Sequence, residues 1–166
     1  MEIKTNKVLL VLYSYHNMNT EKIAKVFSRV LDAEIKTPMV TNPDELQQYG
    51  LVGFGSGIDS GKHYKCLLDL VDRIPKVINK NAFIFSTHGS PGIAVSEESI
   101  FKNHLQLREK LKAKGYMIID EFSCAGLNTN SFLKLFGGIN KGRPNTDDLK
   151  YAEEFALKLK LTTKEF

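Results

Sequence analysis

Residues 8–31 combine an unbroken apolar run, a polar loop and an amphipathic helix, and this order restricts the chain to few folds. Val8–Tyr13 is a continuous run of Val, Leu and Tyr, as expected for a strand that is buried on both faces. After the polar residues 14–20, apolar residues recur at spacings of three and four, as on one face of a helix. These residues are Ile23, Val26, Phe27, Val30 and Leu31. The pattern predicts a central strand of a parallel sheet, with the following helix packed against it.

The remaining chain repeats this alternation of strands and helices. Four further apolar stretches of strand length lie at residues 33–36, 51–54, 82–85 and 116–124. Asn42, Pro43 and Glu45 supply a cap, a proline and a capping-box acid for a short helix between two of them. Strands that alternate with helices predict a doubly wound α/β sheet in which helices cover both faces. At 166 residues, we expect a single domain spanning residues 1–166.

The polar loop at residues 14–20 reads SYHNMNT and is the first candidate binding site. The start of a helix leaves several backbone N–H groups without partners at the positive end of the helix dipole, so a phosphate can bind there without Lys or Arg. The alternative is that Asn19 or Thr20 serves only as the helix cap. The residues that we assign to this site are Ser14, His16, Asn17, Met18, Asn19 and Thr20.

A strand, a Ser/Asn/Thr-rich loop that ends in Asn19-Thr20 and a helix resemble the phosphate loop of flavodoxins, which bind flavin mononucleotide (FMN). The loop is one residue longer than the common pattern and contains no glycine. The resemblance implies a flavodoxin-like fold with five parallel strands in the order 2-1-3-4-5 and a site for FMN. The basic composition differs from that of typical flavodoxins, which are acidic.

A second polar segment, at residues 55–64, reads GSGIDSGKHY and follows the third predicted strand. It misses the Walker A motif at two positions, Ser56 and His63, and the dinucleotide fingerprint at one, Ser60. The resemblance to flavodoxins implies that this segment contacts the flavin ring through Gly57, Ile58 and Asp59, with His63 or Tyr64 beside the ring. The alternative is a glycine-rich turn in which Tyr64 packs on the next helix.

A third polar segment, at residues 86–92, follows the fourth predicted strand. In open parallel sheets, ligands bind at the carboxyl ends of the strands, so the three loops should converge on one site. The resemblance implies that Thr87, His88 and Gly89 hold the pyrimidine edge of the flavin. His88 could instead exchange protons with a substrate, but the sequence offers it no Asp or Ser partner. We therefore assign no catalytic residue.

The composition excludes several classes of function. The net charge of +4 comes from lysines that are scattered along the chain, which does not predict a nucleic-acid-binding stripe. No apolar run approaches the roughly 20 residues needed to span a bilayer, so we expect no membrane insertion and a cytoplasmic location. Cys66 and Cys124 are far apart in sequence without nearby histidines, so we expect no metal site.

Together these features predict an FMN-binding electron-transfer protein that works with a redox partner protein or a small-molecule electron donor or acceptor. Two alternatives remain. The first is a flavodoxin-fold enzyme that uses FMN to reduce or oxidise a quinone, a porphyrin or a nicotinamide. The second is a cofactor-free binding or signalling domain of the same fold. Receiver domains of that kind carry acidic residues after their first strand, where this chain has Ser14, Tyr15 and His16.

Overall fold

The computed structural model describes residues 5–91 and 96–164, and it shows a parallel sheet between two layers of helices. The strands are β1 (Val8–Tyr13), β2 (Ala33–Lys36), β3 (Leu51–Asp59), β4 (Lys62–His63), β5 (Lys80–His88) and β6 (Tyr116–Ala125). The helices are α1 (Asn19–Leu31), α2 (Lys65–Arg73), α3 (Glu97–Ala113) and α4 (Thr146–Lys164). Short 3-10 helices cover Pro43–Gln48 and Ser131–Phe136.

The five long strands are parallel and lie in the order β2-β1-β3-β5-β6, while the short β4 pairs antiparallel with the end of β3. When β4 is set aside, this order is the predicted 2-1-3-4-5. The capping box at Asn42 and Glu45 is also present. In the part of the chain that is described, none of the helices combines the length and the apolar character needed to cross a membrane.

Two apolar cores pack against the two faces of the sheet. On one face, the Phe27 ring of α1 makes edge-to-face contacts with the rings of Phe83, Phe85 and Phe122, and α4 completes this layer through Phe155. The other core lies between the sheet, α2 and α3. Edge-to-face aromatic pairs add about 0.5–1.5 kcal/mol each beyond their burial. The cores make the sheet a rigid base for the loops at the carboxyl ends of its strands.

The segment predicted as a glycine-rich loop after residue 54 is largely a β-hairpin. β3 continues to Asp59, and the chain turns at Ser60 and Gly61, which both have positive φ angles, as in the tight turns that connect paired strands. Gly53 and Gly55 serve the sheet rather than a loop. A Cβ atom at Gly55 would lie 2.2 Å from the Phe85 ring, so the aromatic core requires a residue without a side chain there.

The third polar segment is likewise partly strand. β5 runs through Ser86, Thr87 and His88, whereas the apolar pattern ended at residue 85. Polar residues that pair within the sheet were interpreted as loop because strand prediction depends on apolar runs. Residue 92, the last of this predicted segment, lies outside the described residues.

Candidate functional site

A cleft of about 330 Å³ opens at the carboxyl ends of β1, β3 and β5. This is where doubly wound sheets bind ligands, and the volume is at the lower end of the range for small-molecule sites. All three predicted polar segments contribute to it. The sequence-predicted residues that line the cleft are Ser14, His16, Asn19, Thr20, Gly57, Ile58, Asp59, Tyr64, Thr87, His88 and Gly89.

Three predicted residues, Asn17, Met18 and His63, do not line the cleft. Conversely, the lining includes residues that the sequence analysis did not assign, namely Tyr13, Tyr15, Leu127, Asn128 and Asn130. The last three follow β6, so the rule that places ligands at the carboxyl ends of strands could have found them. Their polar segment begins directly after the fifth predicted strand and contains several asparagines.

The first loop reaches α1 through a backbone in an unusual conformation. Asn17 and Met18 both have positive φ angles, so they adopt without glycine the left-handed conformation that glycine usually supplies. Met18 occupies the cap position but makes no side-chain cap. Instead, the backbone N–H of Glu21 donates to the Ser14 hydroxyl at 3.2 Å. Neither Asn19 nor Thr20 is the cap.

Backbone donors at the start of α1 remain available. Among the described residues, no acceptor receives the N–H groups of Asn17, Met18 or Thr20. Successive free N–H groups in a left-handed turn at a helix start form a concave site for an anion. The Thr20 hydroxyl shares one hydrogen bond of 2.8 Å with the Thr87 hydroxyl, which joins the first loop to the end of β5.

Asparagine side chains connect this loop to the segment that follows β6. Asn17 Nδ2 donates to the carbonyl of Leu127 at 3.0 Å and to the Thr129 hydroxyl at 3.2 Å. Asn19 Nδ2 donates to the same carbonyl at 2.8 Å. A Cβ atom at Gly126 would lie 2.6 Å from Asn19 Nδ2, so glycine leaves room for this side chain. Asn17 therefore holds the loop in position, while the buried Asn19 Oδ1 has no partner among the described residues.

The hairpin of β3 and β4 forms the second wall of the cleft. The Tyr64 ring lies 5.0 Å from the Tyr13 ring, and a Cβ atom at Gly57 would lie 3.3 Å from Tyr64 Cε2. Behind this wall, the Ser56 hydroxyl donates to the Gly57 carbonyl at 2.7 Å and bonds His63 Nδ1 at 2.8 Å. His63 is buried behind the hairpin, so it supports Gly57 from inside the protein.

The third wall is the end of β5. Burial lowers the pKa of His88, so this histidine is neutral near pH 7, and its buried Nδ1 has no partner among the described residues. Asn128 Nδ2 donates to the Gly89 carbonyl at 3.2 Å. A Cβ atom at Gly89 would lie 2.7 Å from that nitrogen, so glycine allows the close approach of the two loops.

Comparison with known proteins places the chain in a family. The uncharacterized protein MJ0298 from Methanocaldococcus jannaschii is 49% identical over 150 residues, which are 90% of this chain and 95% of that protein. This chain belongs to the MJ0298 family. No protein-family model matches the sequence.

Solved structures similar to this member of the MJ0298 family show that its fold is flavodoxin-like. A flavodoxin from the domain Archaea has a TM-score of 0.65 at 15% identity, and the match covers 95% of this chain and 99% of that one. Oxidised flavodoxin 2 from Bacillus cereus has a TM-score of 0.66 at 17% identity, with coverages of 91% and 95%. Rubredoxin oxygen:oxidoreductase from Desulfovibrio gigas matches 97% of this chain over 37% of its own length, with a TM-score of 0.65 at 15% identity.

The cleft of this MJ0298 relative contains few charges. Its lining includes no Lys or Arg, and Asp59 is its only Asp or Glu among the described residues. An anion in the cleft would therefore rely on neutral donors, which are the backbone N–H groups and the hydroxyls of the first loop. In the described residues, no group of three His, Cys, Asp or Glu side chains could hold a metal ion.

A second polar cluster lies between β5, β6 and α3 and is largely buried, with the Glu121 side chain 20% exposed. His104 Nε2 bonds the Ser86 hydroxyl at 2.8 Å, and His104 Nδ1 bonds Glu121 at 2.7 Å. The Arg108 guanidinium donates to both oxygens of Glu121. The order hydroxyl, imidazole, carboxylate is that of a nucleophile with its base, but Ser86 and His104 have no exposed surface.

Proposed function

We propose that this protein binds FMN in the cleft at the carboxyl ends of β1, β3 and β5 and acts in electron transfer. The observation that carries the proposal is the start of α1, where backbone N–H groups lack acceptors among the described residues and the cap residue Met18 provides no side-chain cap. The flavodoxin-like fold supports this proposal. The similar solved structures are named as flavodoxins and as an oxygen:oxidoreductase, which are names of redox proteins.

The first loop suits the phosphate of FMN. Its donors are the N–H groups of residues 17, 18 and 20 and the hydroxyls of Ser14 and Thr20. Asn17 and Met18 do not line the cleft themselves, but they lie between His16 and Asn19, which do. A phosphate dianion at a helix N-terminus is stabilised by the dipole as well as by hydrogen bonds. Ionic compensation by Lys or Arg is not required.

The second and third walls suit the flavin ring. Tyr64, packed on Tyr13, offers a ring face, and Tyr15 is 66% exposed at the cleft. Gly57 has no side chain to separate the ring from the backbone of β3. Thr87, His88 and Gly89 supply polar groups from β5 for the polar edge of the ring. Aromatic groups with a few oriented polar groups are typical of small-molecule sites.

Bound FMN would supply reversible uptake of one or two electrons, and the protein would set the free energy of that uptake. Because no cation lines the cleft, negative charge added to a ligand would lie near the phosphate and Asp59 without compensation. Neutral His88 does not relieve this repulsion. We therefore expect the chain to disfavour the accumulation of charge in the cleft, which lowers the potential for adding electrons.

Titration with FMN and with riboflavin tests the proposal. The purified protein should bind FMN stoichiometrically and riboflavin at least about tenfold more weakly, since riboflavin lacks the phosphate that the helix start stabilises. Failure to bind either flavin would contradict the proposal and favour a cofactor-free domain. Equal affinity for the two flavins would contradict the assignment of the phosphate site to the first loop.

A substitution locates the phosphate. Thr20→Glu places a carboxylate at the proposed phosphate site and should weaken FMN binding by about 100-fold or more through like-charge repulsion. Riboflavin binding and the circular dichroism spectrum should change little, which separates loss of the site from loss of the fold. Thr146→Glu is the matched control, because it makes the same change at the exposed start of α4. Retained FMN affinity in Thr20→Glu would refute this assignment.

A second candidate function is an FMN-dependent reductase or oxidase of a small substrate. The observation that favours it is His88, which lines the cleft and whose buried Nδ1 has no partner among the described residues. Such a nitrogen could exchange a proton with a substrate. Steady-state oxidation of reduced nicotinamide by the FMN-loaded protein alone would support this enzyme. Reduction only through a protein partner would support the electron carrier.

A further inference from the structure

The segment between β6 and α4 forms one side of the cleft and projects beyond it. We call residues 126–145 the rim lobe. Its base is fixed by a backbone bridge between Asn128 and Ile139 and by the hydrogen bonds from Asn17 and Asn19 to Leu127. Because these bonds run to the first loop, the rim lobe is held in one position relative to the cleft.

The rim lobe exposes a cluster of large apolar side chains. Phe132, Leu135 and Phe136 are 68%, 83% and 74% exposed, and all three lie in the short helix Ser131–Phe136. None of them belongs to either core. Exposed apolar surface costs about 25 cal/mol per Å² relative to burial, and a contiguous patch of this kind marks an interaction site.

The charges of the rim lobe all have one sign. Residues 126–145 include Lys134, Lys141 and Arg143 but no Asp or Glu. Arg143 pairs with Asp148 of α4, whereas neither lysine has a carboxylate within 4.0 Å among the described residues. The Lys141 side chain packs over Gly137, where a Cβ atom would lie 2.6 Å from its Cε. Two unpaired cations therefore border the apolar cluster.

We propose that the rim lobe docks an acidic electron-transfer protein whose own apolar patch is bordered by carboxylates. This inference rests on the proposed function, because its purpose is to bring a redox centre to the cleft. The apolar cluster would supply the buried anchor of the interface, and the lysines would orient the partner. Asn130 lines the cleft and lies two residues before Phe132, so a partner on the rim lobe would lie next to the cleft.

Two other occupants fit these observations less well. An anionic membrane contributes about 1 kcal/mol for each basic residue near its surface, so two unpaired lysines would provide little binding. A second copy of the chain would bring the same lysines together and would repel, because each copy carries a net charge of +4. An acidic protein gains from both the charge and the apolar surface.

The test measures binding of a reduced acidic [2Fe–2S] ferredoxin, used as a probe, and electron transfer from it to the FMN-loaded protein. Lys134→Glu/Lys141→Glu should weaken the complex and slow transfer by about tenfold at low salt, and the effect should vanish at high salt. Leu135→Ser/Phe136→Ser should weaken binding by about tenfold at any salt concentration. FMN affinity should remain unchanged in both variants.

Lys7→Glu/Lys76→Glu is the matched control, because it makes the same change in net charge near the amino ends of the strands, away from the cleft. It should alter the affinity for ferredoxin by less than about threefold. An equal loss in this control would refute the rim lobe as the docking site, as would ferredoxin binding that both rim-lobe variants retain. Tighter binding to phosphatidylglycerol vesicles, or a dimer that Phe136→Ser abolishes, would also overturn the proposal.

The binding measurement keeps this proposal separate from the proposed function. Ferredoxin binding is measured by calorimetry without added flavin as well as with it. If the protein binds no FMN but binds ferredoxin through the rim lobe, the proposed function fails and the docking surface stands. If FMN binds and the rim-lobe variants bind ferredoxin as the wild type does, the docking surface fails and the proposed function stands.

Discussion

Ser86 and Thr87 are consecutive residues of β5 whose hydroxyls lie in different surroundings. The Ser86 hydroxyl bonds both His104 and the Ser123 hydroxyl at 2.8 Å within a closed network. The Thr87 hydroxyl has one partner, Thr20, and lines the cleft. Side chains alternate between the two faces of a strand, so one residue step separates a buried polar core from the cleft.

The difference shows that residue type does not identify a functional group in this protein. Both faces carry hydroxyls and a histidine, but the network of Ser86, His104, Glu121 and Arg108 is hydrogen-bonded throughout. A fully paired buried network makes the native packing specific. In the cleft, His88 Nδ1, Asn19 Oδ1 and backbone N–H groups lack partners among the described residues. Groups that lack partners and belong to residues of the cleft are the ones available to a ligand, unlike the unpartnered His63 Nε2 and Tyr116 hydroxyl, whose residues do not line it.

The largest expected effect is on the closed face. Glu121→Ala would leave the Arg108 guanidinium, 6% exposed, without its carboxylate, and breaking a buried ion pair in this way costs about 3–5 kcal/mol. Urea denaturation should show this loss, while the folded fraction should bind FMN with unchanged affinity. Glu154→Ala, on the exposed side of α4, is the control and should leave stability unchanged. Weakened FMN binding in Glu121→Ala would show that the two faces are coupled.

Acid should affect the closed face through a defined pH range. Burial opposes ionisation of Glu121, but hydrogen bonds from His104 and Arg108 prevail and lower its pKa from 4.5 to about 2. Because the folded-state pKa lies below the unfolded one, the stabilisation is complete above about pH 4.5 and is lost as the pH falls towards about 2. Burial also lowers the pKa of His63, so stability should begin to decline below about pH 6.5.

Denaturation at a series of pH values checks this expectation. His63→Gln removes one of the two histidines, with His88, whose pKa burial lowers, so the decline between about pH 6.5 and 4.5 should become shallower. Glu121→Gln should instead flatten the profile below about pH 4.5. A wild-type stability that rises as the pH is lowered through these ranges would contradict both assignments.

Substitutions of the two neighbouring hydroxyls test the comparison most directly. Ser86→Ala removes the group between His104 and Ser123 and should cost about 1–3 kcal/mol of stability, because buried polar atoms lose their partner. Its FMN affinity should stay within about twofold of wild type. Thr87→Val should cost only about 1 kcal/mol of stability but weaken FMN binding several-fold. Weaker FMN binding in Ser86→Ala with unchanged FMN binding in Thr87→Val would contradict the assignment of Ser86 to the buried network and Thr87 to the cleft.

The smallest expected effect is at the hairpin wall. In Gly57→Ala, the added methyl would lie 3.3 Å from Tyr64 Cε2, so the ring must shift by a few tenths of an ångström. We expect FMN affinity to fall about two- to tenfold with little loss of stability, since this change is modest overpacking at a surface cleft. Gly142→Ala changes a glycine that has nothing within 4 Å of its Cβ position, although its φ is positive. It serves as a control for affinity alone.

Local patterns predicted the doubly wound sheet and most of the cleft, whereas the order of the strands was implied by the resemblance to flavodoxins. Apolar runs located β1, β2 and β6, and the polar residues that follow the strands located the three walls. The prediction was wrong about the length of β3, since Gly55 resembles a loop residue in sequence but lies under the Phe85 ring. Contacts between distant residues decide that outcome.

The pattern of apolar residues by itself determined the doubly wound architecture and the edge of the sheet where loops gather, because burial dictates the period of strands and helices. The tertiary structure decided which polar groups acquire partners. Ser14 rather than Asn19 or Thr20 completes the start of α1, Asn17 binds the rim lobe, and Ser86 and Thr87 face different surroundings. Hydrogen bonds are satisfied by neighbours in space, and for these residues the neighbours lie up to about a hundred positions away in the chain.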